Sequence, residues 1–187
     1  QLNLAKSNDP EGYARRKKAA VEHLVFMCRL YAKQLKGGRL FLHEHPLQAS
    51  SWDEECIQKV LNNPEVSTVV MDQCQFGQQD KNGDPIKKPT RWMSNAPRLL
   101  THLSKRCTGR GGECSGKAKG LYHRPCYGEV AKAAAIYQFR LCKAILEGLR
   151  DELNQKGRVV AHLGILIPKM EAEKAEDYVL ASLEKVF

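Results

Sequence analysis

Between Lys81 and Arg124 the chain carries eleven lysines and arginines against only two acids, Asp84 and Glu113. That stretch alone accounts for +9, which is the net charge of all 187 residues. Its latter part, residues 107 to 127, holds Gly109, Gly111, Gly112, Gly116 and Gly120 and almost no large apolar side chain. Such a segment reads as loop, because it has too little apolar surface to offset the entropy of ordering it. A core therefore has to come from the residues on either side.

Those flanks have the required patterning. Asp9-Pro10-Glu11 is a helix start, with an N-cap acceptor, proline at the first helical position and an acid near the positive dipole end. Ala20, Val21, Leu24, Val25, Cys28, Tyr31 and Leu35 follow at helical spacing until Gly37-Gly38. Residues 39 to 44 read as a strand stopped by Pro46, and a helix capped by Ser50 or Ser51 runs to Leu61. Val66 to Met71 is a largely apolar strand, rich in β-branched residues, of the kind found in a covered sheet. The Asn82-Gly83 turn precedes a returning strand, Thr90 to Met93, and Pro97 opens a short helix to His102. A long helix is expected from about Tyr127 to Leu153, then a strand over Val159 to Ile167 and an amphipathic helix from Glu171 to Val186. Helix and strand alternate, so the expected class is α/β.

With 42% hydrophobic and 27% charged residues, the composition excludes collagen, a coiled-coil rod and a disordered chain. No apolar run approaches a membrane span, so no membrane partner is expected. Seven cysteines cannot all pair within one chain, which points to a reducing interior, nuclear or cytoplasmic, rather than a disulfide framework. Trp52, Met27, Met71, Met93, Cys28, Cys56, Cys142 and His162 fit core positions. The basic block suits contact with DNA or RNA, where Lys87, Lys88, Thr90, Lys105, Arg106 and Arg110 would meet phosphates and an aromatic would stack on a base. The alternative is a solvated loop that keeps the protein soluble.

Two groups of residues have chemical potential. The first is His43-Glu44-His45-Pro46, a carboxylate between two histidines at a strand end. Alternation puts both histidines on one side and Glu44 on the other. They read as a functional strand end, as a turn with satisfied polar groups, or as two metal ligands lacking a third nearby. The second is Cys107, Cys114, His123 and Cys126, whose intervals of 7, 9 and 3 residues permit a tetrahedral zinc site that would order the glycine-rich loop.

Taken in order, His43-Glu44-His45-Pro46, Cys74-Gln75-Phe76-Gly77 and Lys88-Pro89-Thr90-Arg91-Trp92-Met93-Ser94-Asn95 resemble the later motifs of the cytosine-C5 DNA methyltransferase family, in the variant of phage-type enzymes and retroelement polyproteins. The resemblance covers roughly residues 1 to 150. It implies a partial Rossmann-like methyltransferase sheet flanked by helices, with the basic loop 81–126 and a strand-helix extension over 151–187. It also implies that Glu44 contacts a flipped cytosine, that Arg91 orients the base, that Lys88 and Thr90 line the same edge, and that S-adenosylmethionine is the cofactor. The sequence departs from the family in two places. It has no glycine-rich strand for the cofactor, and its one Pro-Cys pair, Pro125-Cys126, follows the Glu44 and Arg91 segments instead of preceding them. The missing parts are expected in an upstream part of the same polypeptide. The chain is therefore expected to be a nucleic-acid-associated methyltransferase-like fragment, not catalytic alone, or else a non-catalytic DNA- or RNA-binding module stabilised by zinc.

Overall fold

The computed structural model describes residues 8 to 157. The strand and helix expected beyond residue 158 lie outside the described residues. The first helix, α1 (Pro10–Lys36), begins as the sequence anticipates: the Asp9 carboxylate accepts the Gly12 N–H at 2.8 Å, and Pro10 occupies the first turn. Strand β1 (Leu42–Pro46) is followed by a 3-10 turn (Ser50–Asp53), helix α2 (Glu55–Leu61), strand β2 (Ser67–Asp72) and a second 3-10 turn (Gln73–Phe76). Then come β3 (Pro89–Ser94), α3 (Pro97–His102), α4 (Gly128–Ala133) and α5 (Phe139–Gln155).

The architecture is mixed α and β, but the sheet is not the Rossmann-like one the resemblance implies. Among the described residues it has three strands in the order β1-β3-β2, and both pairings are antiparallel. In β3 the Arg91 and Met93 side chains share one face and Trp92 points to the other. This alternation divides the interior into two cores. On one face α1 and α2 bury Leu24, Cys28, Tyr31, Trp52, Ile57 and Met93. On the other, α3 and α5 bury Met71, Trp92, Leu99, Leu100, Leu103 and Leu141.

Helices α3 and α5 are locked together by a glycine contact and two polar ones. Gly148 lets the helices approach so closely that a Cβ there would lie 2.7 Å from Leu99 Cα. The carboxylate of Glu152, only 3% exposed, accepts the Arg98 N–H at the uncapped start of α3, supplying from another helix what a local N-cap would provide. His102 Nε2 and Asp151 Oδ2 are 2.9 Å apart alongside.

The long helix expected from Tyr127 to Leu153 is interrupted. Ala134 to Gln138 separates α4 from α5, where the Lys88 ammonium donates to the Ala134 carbonyl at 2.9 Å. Tyr137 turns inward against Trp92, with ring centroids 6.0 Å apart.

Candidate metal centre and basic surface

The basic loop is built onto the end of β2, and one buried carboxylate does much of the anchoring. Asp72, fully buried, accepts the Cys107 N–H and the Arg106 Nε–H, both at 2.9 Å through Oδ2. Its own backbone N–H donates to the Lys105 carbonyl at 3.1 Å. These bonds set residues 105 to 107 beside the turn that begins at Gln73. Further along, Cys114 N–H donates to Leu121 O at 2.9 Å and His123 N–H to Gly112 O at 2.8 Å, folding the loop into a narrow two-stranded finger. Glycines are needed in this finger, as two of them show. Gly112 has φ +88°, and a side chain on Gly109 would collide with the Glu113 carbonyl.

This folding brings four ligand atoms together, those of Cys74, Cys107, Cys114 and His123, all within 4.8 Å of one another. The three cysteines are buried and His123 is half-buried. Cys107 Sγ and His123 Nε2 are 3.5 Å apart. A tetrahedral zinc site with Zn–S near 2.3 Å has sulfur atoms about 3.8 Å apart. The observed cluster therefore needs contraction of about an ångström at most. It could hold a metal ion, and its three sulfurs and one imidazole nitrogen are a soft donor set.

The surroundings already favour a bound thiolate. Burial by itself would raise the Cys107 thiol. The Ser115 hydroxyl, the backbone N–H groups of Gly109 and Ser115, and Cys74 together bring it down to about 6. The Ser115 hydroxyl and N–H each lie 3.4 Å from Cys107 Sγ. Cys74 goes the other way: burial pushes its thiol well up, and the neighbouring Cys114 and Cys107 add to this against the opposing amide of Gln75. A cation at the centre would relieve that crowding of would-be negative sulfurs.

The sequence-based ligand set is thus corrected at one position. Cys107, Cys114 and His123 converge, but Cys126 does not join them; it is half-buried near Lys88. Cys74, from another part of the chain, takes the fourth place. Local spacing cannot reveal a ligand that lies 33 residues before its nearest partner. The available clue is a cysteine placed immediately after an apolar strand.

The Glu44 and Arg91 pair does not converge. In the register of β1 on β3, Glu44 lies opposite Trp92 and His45 opposite Arg91, so the carboxylate and the guanidinium project from opposite faces of the sheet. Glu44 faces the α5 side near Tyr137, whose own ionisation is pushed up by burial and then by this carboxylate. Arg91 lies over the Trp52 ring, 4.6 Å from its centroid, and reaches the Thr68 hydroxyl at 3.4 Å. His43 and His45 share that second face, each set edge-on to the Trp52 ring. His43 Nδ1 is 3.0 Å from the Tyr31 hydroxyl, and His45 bonds to Ser51. The two histidines have no third metal-binding side chain with them among the described residues.

Of the expected nucleic-acid contacts, Thr90 is fully buried and bonded to Gln73, so it is a structural residue. Lys88 is half-buried with its ammonium on the Ala134 carbonyl. Lys87 is half-buried, and Lys105, Arg106 and Arg110 are exposed. S-adenosylmethionine finds no support here, since none of the three strands leads through a glycine-rich turn into a helix. No helix among the described residues is long and apolar enough to cross a membrane.

No protein family, no curated protein and no solved structure matches the chain. The resemblance to cytosine-C5 methyltransferases therefore rests on the three sequence motifs alone, and nothing else identifies that family.

Proposed function

We propose that this chain is a non-catalytic nucleic-acid-binding module whose basic arm is held in place by a structural zinc ion. The observation that carries the reading is the convergence of Cys74, Cys107, Cys114 and His123, which ties the arm to the rim of the sheet. Three sulfurs and one imidazole with no open position make a structural donor set for zinc rather than a catalytic one. The ion would do for this segment what an apolar core does elsewhere. It would hold a chain with little to bury in one conformation.

The arm that such an ion fixes displays Lys105, Arg106, Arg110, Lys119 and Arg124 as exposed cations. Presented on a rigid finger, they would meet a phosphate backbone with less ordering entropy to lose than a free tail has, and would release its counterions.

Two measurements test the proposal. Protein purified in the presence of zinc and then dialysed should retain one equivalent. The affinity for a single-stranded oligonucleotide should fall linearly with the logarithm of salt concentration. Replacing Lys105, Arg110 and Lys119 by glutamine should flatten that slope by about 2, at roughly 0.7 for each phosphate contact. Arg106 is left intact because its Nε–H is engaged with Asp72. Absence of bound metal, or binding that ignores salt, would overturn the reading.

A further inference from the structure

A second feature lies beside the metal-held finger, where the 3-10 turn after β2 meets the start of α5. A cleft of about 270 Å³ opens there, lined by Gly77 and Gln79 from the turn region, Lys117 from the finger, and Gln138, Phe139 and Arg140 from the head of α5. No acidic residue lines it. Two cations border it in different circumstances. Lys117 donates to the Gln79 side-chain carbonyl at 2.5 Å. The Arg140 guanidinium makes no hydrogen bond or ion pair among the described residues. Its stem lies over Gly77, whose φ of +93° suits glycine and where a Cβ would be 3.6 Å from Arg140 Cδ. Phe139, 40% exposed, offers a ring to solvent at the same edge.

An exposed aromatic, an unpaired guanidinium, a lysine and two side-chain amides around one small cleft match the parts of a nucleotide. The guanidinium and ammonium suit a phosphate, the ring suits the flat face of a base, and Gln79 and Gln138 can both donate to and accept from a base edge. The volume is just below the usual range for drug-sized ligands, so it suits one unit of a polymer. An acidic peptide would use the cations but has no flat π-surface to use Phe139.

We propose that this cleft is a subsite for one unpaired nucleotide of a bound single strand, with its phosphate on Arg140 and Lys117 and its base against Phe139. The inference rests on the nucleic-acid reading above and adds to it a preference for single strands. It also links the cleft to the metal centre. Lys117 follows Ser115, which is bonded to Cys107 and to Gln75, so the ion that orders the finger also sets this wall of the cleft.

The test uses the full zinc-loaded chain and a fluorescent single-stranded oligonucleotide, its duplex and an abasic strand of equal length, with circular dichroism to verify folding. Phe139→Ala should weaken single-strand binding roughly tenfold, in line with loss of one stacked base, and leave the salt slope unchanged. Arg140→Gln should weaken it and also lower the slope by about 0.7, the loss of one phosphate contact. The abasic strand should be insensitive to Phe139→Ala. Lys143→Gln, on the same helix but paired with Glu147 away from the cleft, is the control and should do little. Wild-type binding that is untouched by Phe139→Ala, with Arg140→Gln no worse than Lys143→Gln, would overturn the subsite and leave the general reading intact. No oligonucleotide binding by the wild-type chain at low salt would overturn both.

Discussion

Acidification should destabilise this fold through one imidazole. His43 is only 6% exposed, and its Nδ1 lies 3.0 Å from the Tyr31 hydroxyl. Burial, and to a lesser degree Cys28, pushes the Tyr31 pKa up to about 12, so the hydroxyl stays neutral beside the ring. The other ring nitrogen, Nε2, is buried without a partner. A second proton on the ring would place a charge in an apolar surround with no anion to receive it. Burial first, and His45 second, accordingly lower the pKa of His43 from 6.5 to about 4. Because the unfolded chain takes up the proton first, stability is fully present above pH 6.5 and is lost progressively as pH falls to about 4. The total is about 3 kcal/mol. The groups facing this imidazole are His45 and Trp52 from the same side, Tyr31 from α1, and Arg91 over the tryptophan.

The assay is urea unfolding from pH 4 to pH 8 on the wild type and on His43→Gln, whose side-chain amide can hydrogen-bond to the Tyr31 hydroxyl in either direction. Every other titrating group, the metal ligands included, is common to both proteins and cancels in the difference. Between pH 7 and pH 4 the wild type should lose about 3 kcal/mol more than the variant. Parallel stability curves would refute the reasoning and show that the imidazolium is accommodated in the folded state.

Three further outcomes follow from the same structure. Cys74→Ser should abolish stoichiometric zinc binding and expose residues 105 to 124 to proteolysis, whereas Cys126→Ser should keep both the metal and the protection; the reverse result would restore the ligand set expected from spacing. Gly148→Ala should destabilise the protein by about 1–3 kcal/mol through overpacking of α5 on α3, even though alanine favours helix by about 1 kcal/mol, and an unchanged thermal midpoint would show that the helices can part. Glu44→Gln and Arg91→Lys should have additive effects on stability within about 0.5 kcal/mol in a double-mutant cycle, since the sheet separates the two side chains; coupling above about 1 kcal/mol would contradict that geometry.

Several elements were readable because the physics that makes them is local. The Asp9-Pro10 start of α1 depends on a side chain reaching three residues ahead. The Asn82-Gly83 turn is closed by the Asp80 carboxylate, which accepts the N–H groups of Asn82 and Asp84. The alternation along β1 separated Glu44 from its flanking histidines correctly, because side chains in any strand alternate whichever way the neighbouring strands run. Strand direction left no such mark. Alternation is the same in parallel and antiparallel sheets, so the Rossmann-like arrangement could not be excluded from letters alone.

The break in the expected Tyr127 to Leu153 helix is equally instructive. Ala131 to Ala135 are mostly good helix formers, and nothing nearby in the chain stops them. The interruption comes with an ammonium from Lys88, 46 residues away, on the Ala134 carbonyl.

Charge, loop composition and the capped start of α1 are properties of neighbouring residues, and for those the order of amino acids was sufficient; the cap expected at Ser50 or Ser51 gives way to a 3-10 turn, and α2 begins only at Glu55. The fourth metal ligand, the opposed placement of Glu44 and Arg91 and the cleft at Arg140 required the folded chain. Each is a meeting of residues far apart in sequence, set by which surfaces bury against one another. A one-dimensional pattern records what each segment can bury but not which partner it finds.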